Sequence, residues 1–189
     1  MVLTKRFITL QREKERGPER APFFIPHPQR KRTKMNASEI KDAAMPTIVA
    51  RGCFLVDLKV SRDNDVTITI ESEEGVVDIA DCEAVNDTVL AAFDRDVEDF
   101  ALTVSSAGLD QPFRILRQYR KALGSMVEVS LKGGRTLTGK LADVDEEGLW
   151  LEYSARESVE GSRKKVTVEH RDRFPFSEVN GTVPFITFE

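Results

Sequence analysis

Val104-Ser105-Ser106-Ala107-Gly108-Leu109-Asp110-Gln111-Pro112-Phe113 ends an apolar strand, turns twice and opens a basic run, Arg114-Ile115-Leu116-Arg117-Gln118-Tyr119-Arg120-Lys121. Before it, Phe100, Leu102 and Val104 alternate with polar neighbours, the pattern of a half-buried strand. Gly108 tolerates backbone angles that other residues avoid, and Pro112 fixes φ and removes a donor. The two punctuate a rigid connection between the strand and the basic helix.

Upstream of the joint, the pattern predicts helix, strand, strand, helix, strand. Asn36 and Glu39 have the spacing of a capping box, and Ile40, Ala43, Ala44 and Ile48 give the first helix an apolar face, with Pro46 expected to kink or interrupt it. Phe54, Val56, Leu58 and Val60 alternate, Arg62-Asp63-Asn64-Asp65 turns, and Val66, Ile68 and Ile70 alternate again, as in a hairpin. Asp78 stands as an N-cap, with Asp81 three residues on, for a second helix expected to bury Ile79, Cys82, Val85, Val89 and Phe93. This order makes a two-layer α+β domain over residues 35–122.

After Gly124 come short strands with turn residues between them: Met126 to Leu131, Thr136 to Val144, Leu149 to Tyr153, Lys165 to Glu169 and Val183 to Phe188. Ser154 to Arg163 is polar and is expected to be a loop. Five short antiparallel strands point to a small all-β barrel over residues 123–189, because closure removes exposed edges.

The chain has 189 residues and a formal net charge of −4, unevenly spread. Residues 1–34 hold 10 Lys and Arg against 3 Asp and Glu, a net of +7, whereas the remainder holds 18 against 29, a net of −11. The tail, with four prolines and no sustained apolar period, reads as a disordered basic segment. Met35 stands just ahead of the first helix and is expected to be the native start, the tail then being an over-called reading frame; the alternative is a basic RNA-tethering arm. An acidic body repels a polyphosphate at long range, so contact with RNA needs a local basic patch or a protein partner. Arg114, Arg117, Arg120 and Lys121 supply such a patch on one helix, the candidate RNA-binding residues.

Catalytic and metal constellations fare poorly. His27 and His170 lack cysteine or carboxylate neighbours at metal-ligand spacing, and the only cysteines, Cys53 and Cys82, read as buried thiols. Ser105-Ser106 lacks the Gly-x-Ser-x-Gly elbow, and Gly133-Gly134 reads as a hairpin turn. The cluster Asp94, Asp96, Glu98 and Asp99 lacks the EF-hand pattern. No cofactor, metal or enzymatic activity is expected. No run is long and apolar enough to span a bilayer, and a soluble cytoplasmic protein is expected.

Ser105-Ser106-x-Gly108-Leu109-Asp110-x-Pro112, between a strand and a basic helix, resembles the signature of the ribosome maturation factor RimP family. Pro46 to Asp57 and Gly75 to Glu83 are similar to that family too, and the likeness covers about Met35 to the end. Ala107 stands where the family usually has proline, and Gln111 where it often has arginine. The resemblance implies that the barrel is of the Sm-like (SH3-like) kind. It further implies a monomer that binds the immature 30S subunit and assists its assembly, with 16S rRNA and a small-subunit ribosomal protein as partners. In that setting Ser105, Ser106, Gly108, Leu109, Asp110 and Pro112 set the angle between two domains. Lys132, Arg135 and Lys140 are the partner-binding candidates of the barrel. The rival reading is a free-standing Sm-like RNA-binding module acting on small RNAs and forming rings.

Overall fold

A computed structural model describes residues 35–94, 97, 99–158 and 165–186. The basic tail, His27, Asp96 and Glu98 lie outside the described residues.

Helix α1 (Ala37–Ala50) starts at the N-cap Asn36, whose side chain accepts from the Ser38 amide. Glu39 does not reach back to the backbone. It accepts from the Asn36 amide nitrogen at 3.0 Å, so the expected capping box is a side-chain pair. Pro46 lies inside one continuous helix, on its exposed side, where a carbonyl left without its donor meets water. Ile40, Ala44 and Ile48 are buried.

Strands β1 (Cys53–Val60) and β2 (Asp65–Ser72) form the antiparallel hairpin. Its register shifts between Leu55 and Asp57, leaving Val56 as an extra residue. This bulge corrects the expected face. Cys53 and Leu55 before it, and Leu58 and Val60 after it, join one core, while Phe54 and Val56 are buried away from that core. Asp57, which unbroken alternation would turn toward that core, lands on the same face as Phe54 and Glu71.

Helix α2 (Ile79–Ala92) carries the expected cap as a full box, with Asp78 accepting from the Asp81 amide and Asp81 from the Asp78 amide. Val85 and Val89 are fully buried, and Cys82 and Phe93 pack beside them. Ile79 is instead 78% exposed. At 3.6 residues per turn it sits roughly 90° from the mean direction of Cys82, Val85 and Val89, at the margin of the buried face. Strand β3 (Ala101–Ser106) pairs parallel to β2, giving the order β1-β2-β3. Both long helices cover one sheet face, and Ile40, Ile48, Ile68, Ile70, Val85 and Val89 form the centre of that core.

Helix α3 (Leu116–Lys121) leads to β4 (Met126–Leu131), β5 (Thr136–Val144), β6 (Gly148–Ser158), β7 (Lys165–Pro175) and β8 (Val179–Pro184). These five antiparallel strands, in the order β7-β6-β5-β4-β8, match the small barrel expected. Strands β7 and β8 are its outer strands and do not pair with each other among the described residues. The strand expected from Val183 begins at Val179, and Thr187 and Phe188 lie outside the described residues. Part of the expected polar loop is strand too. Ser154 to Ser158 pair with Glu169 back to Lys165, and the Ser154 hydroxyl donates to Glu169 at 2.7 Å.

A second core gathers Val127, Val129, Leu137, Leu141, Leu149, Leu151 and Tyr153. Gly139 keeps β5 close to β6: a Cβ there would run into the Glu152 carbonyl and come within 2.9 Å of the Tyr153 Cβ.

Candidate functional site

The signature stretch is strand for longer than its turn residues suggest. Ser105 and Ser106 still pair with Thr69 and Ile70, and the Ala107 amide donates to the Ile70 carbonyl at 2.9 Å. The turn follows, closed by the Gln111 amide on the Gly108 carbonyl at 3.1 Å. Gly108 does not take the left-handed φ that its turn position suggested, and a Cβ there would meet only movable side-chain atoms, the Asp110 carboxylate at 2.8 Å and the Gln111 Cγ at 3.2 Å, while Leu109 is 61% exposed. Pro112 packs over Gly181, and the Phe113 amide donates to the Thr182 carbonyl of β8 at 2.9 Å. The connector is thus fastened to β2 at one end and to β8 at the other.

Helix α3 belongs by packing to the second core. Tyr119 is buried there, edge-on to Phe113 and Phe176 at centroid distances of 5.0 and 5.1 Å. Burial pushes its phenol pKa up, opposed in part by Thr182. Ile115 offers no polar cap, and the buried Gln118 replaces it. The Gln118 oxygen accepts from the Arg114 and Ile115 amides at 2.8 and 3.3 Å, and its nitrogen donates to Glu71 at 2.8 Å. Sequence reasoning missed Gln118, since glutamine in a basic helix reads as a surface residue. Its place three residues after Ile115 was the available signal.

The basic helix faces carboxylates of its own chain. Arg114 pairs with Asp57 at 2.5 Å, Arg117 with Glu73, and Lys121 with Glu71 at 3.0 Å and with the Gly75 carbonyl at 2.9 Å. The Arg117 guanidinium also lies over the Phe54 ring, 4.7 Å from its centroid. Asp57 is held below the usual carboxylate range, chiefly by its hydrogen bond from Lys59 and further by the charges of Lys59 and Arg114. Arg120 is exposed and forms no ion pair among the described residues. The expected single helical patch is therefore divided: Arg114 lies ahead of α3 and pairs with β1, Arg117 and Lys121 on α3 pair with carboxylates at the end of β2, and Arg120 has no ion pair among the described residues.

The barrel cations do not form a single patch. Lys132 and Arg135 flank the β4-β5 turn, with Arg135 set 6.0 Å from the Tyr153 ring centroid, while Lys140 lies five residues along β5, roughly 17 Å away at strand rise. The Lys140 stem instead passes Gly124, just beyond α3.

The other candidates take structural places. Cys53 is buried and Cys82 half-buried, both free, and burial raises both thiol pKa values. His170 stacks on Tyr153 at 5.2 Å. Among the described residues no group of three or more His, Cys, Asp or Glu is placed to hold a metal ion, and no helix is long and apolar enough to cross a membrane.

An α+β sheet joined by a short, doubly anchored connector to a five-stranded antiparallel barrel is the architecture the signature implied. Residues 43–110 match the family model described as the RimP N-terminal domain. The chain is 30% identical over 135 residues to the ribosome maturation factor RimP of Flavobacterium psychrophilum, covering 71% of this chain and 86% of that relative. It is 31% identical over 135 residues to the RimP of Christiangramia forsetii, covering 71% and 87%. It is 33% identical over 112 residues to that of Porphyromonas gingivalis, covering 59% and 73%. The chain belongs to the ribosome maturation factor RimP family.

Proposed function

We infer that the protein is a non-catalytic assembly factor of the cytoplasm that binds the immature 30S subunit as a monomer and assists its maturation. Kinship along 86% of a relative named ribosome maturation factor carries the reading. In it, the chain has two domains, over residues 35–122 and 123–189, with Phe113, Tyr119 and Ala122 at the end of the first packing against the barrel.

The outer surface of α3 faces 16S rRNA in this reading. Arg120 is the cation available from the start, and Arg114, Arg117 and Lys121 exchange carboxylates for phosphates as they engage. That exchange suits the more exposed pairs, Arg114–Asp57 and Arg117–Glu73, since surface ion pairs are individually worth only about 0–1 kcal/mol. Lys132, Arg135 and Lys140 offer separate points of contact to a small-subunit ribosomal protein or to rRNA. If about three cations neutralise phosphates, affinity falls with salt at a logarithmic slope of roughly 2–3. Sedimentation of cell extract tests the reading: the protein travels with free 30S particles in preference to 70S ribosomes. Equal association with both, or with neither, overturns it.

A further inference from the structure

Beyond the basic helix, the ends of β2 and β3 leave an apolar cleft of about 250 Å³. Its lining joins the apolar side chains of Val76, Val77, Ala107, Leu109 and Pro184 to the paired Glu71 and Lys121 and to Gln118, with Val76 81% and Leu109 61% exposed. Phe185 and Ile186, directly after Pro184, are also more than two-fifths exposed. The cations of α3 do not make this surface positive, since Lys121 at its side is paired with Glu71.

The residues next in sequence to the apolar lining are acidic. Glu74 and Asp78 bracket Gly75-Val76-Val77, and Asp110 follows Leu109; all three are exposed and free of ion pairs among the described residues. Such a rim repels a polyanion and attracts a cationic chain. Strand β3, which runs into the cleft through Ser106, is the outer strand of its sheet, and among the described residues nothing pairs with its outer edge. An open edge ending in an apolar cleft suits an extended backbone whose alternate side chains enter the cleft.

We propose that this cleft and the β3 edge form a docking site for a basic, extended polypeptide segment with apolar residues at alternate positions. Lys121 and Gln118 of α3 border the cleft, whereas Arg114, Arg117 and Arg120 do not line it, so substitutions at Val76 and Leu109 read protein docking and a substitution at Arg120 reads RNA contact.

The test is fluorescence anisotropy of the full chain with a labelled peptide of about twelve residues alternating valine with lysine or arginine. A matched peptide with glutamate in place of the cations and a single-stranded RNA oligonucleotide serve as competitors. The basic peptide binds saturably, in the micromolar range. Val76→Asp and Leu109→Asp each weaken it at least tenfold, while Arg120→Glu leaves it unchanged. Both substituted side chains are largely solvent-exposed, and an unchanged thermal transition verifies folding. Absence of saturable binding, equal competition by the acidic peptide or by RNA, or full binding by the Val76→Asp protein overturns the proposal. A gel-filtration mass that grows with concentration and reverts in Val76→Asp also overturns it, by giving the face to a second copy of the chain.

Discussion

Gln118 holds two backbone amides at the start of α3 and one carboxylate of β2, and it is buried while doing so. Gln118→Ala leaves those partners unpaired, with an expected loss of about 1–3 kcal/mol in urea unfolding. Asp81 has a comparable role between the two long helices. It accepts from the Asp78 amide and receives Arg51 from the end of α1 at 2.7 Å. The backbone bond first, and Arg51 second, hold its carboxyl below the usual range. A carboxyl whose pKa is lower folded than unfolded stabilises the fold above about pH 4, and the contribution disappears as pH falls through the folded value. Unfolding between pH 6 and pH 2 therefore shows a shallower acid decline for Asp81→Asn than for the native chain. The Asp78 cap was legible because a cap is local, four residues of spacing. The Gln118 bond to Glu71 was not, because it joins residues 47 positions apart.

At the scale of elements, the bulge at Val56 decides where the carboxylates go. One extra residue in β1 turns Asp57 to the face that α3 covers, alongside Phe54 and Glu71. Strict alternation has no term for such an insertion, so the sequence pattern placed Phe54 and Val56 with Leu58 in a single core. The ion pairs themselves are partly exposed, with side-chain accessibilities of 48% and 26% for Arg114 and Asp57. Glu73→Lys is accordingly expected to cost no more than about 1 kcal/mol at low salt, shrinking toward zero near 1 M, as thermal melts at two ionic strengths will read. Helix α2 offers a sharper contrast. Val85→Ala should cost about 1.5–3 kcal/mol and Ile79→Ala less than about 0.5, since only the first loses buried surface. The extension of β6 past Tyr153 and of β7 past Glu169 escaped sequence reading for another reason. Ala155 is the one apolar residue in Ser154 to Ser158, and His170 to Arg173 has none, so backbone pairing there leaves no hydrophobic signature.

Taken whole, the molecule puts two separately packed cores on either side of a connector bonded to each. The order of elements was readable because Gly108 and Pro112 mark the change from one pattern to the other. The charge seam across that joint was not, because its partners lie 44 to 57 residues apart. Kinship supports a role in ribosome maturation, and the most direct measurement of the proposed small-subunit role is the ribosome profile of cells lacking the gene. The account predicts fewer 70S ribosomes and an excess of free 30S particles carrying unprocessed rRNA, restored by the wild-type gene. A profile and rRNA processing identical to those of wild-type cells would contradict it.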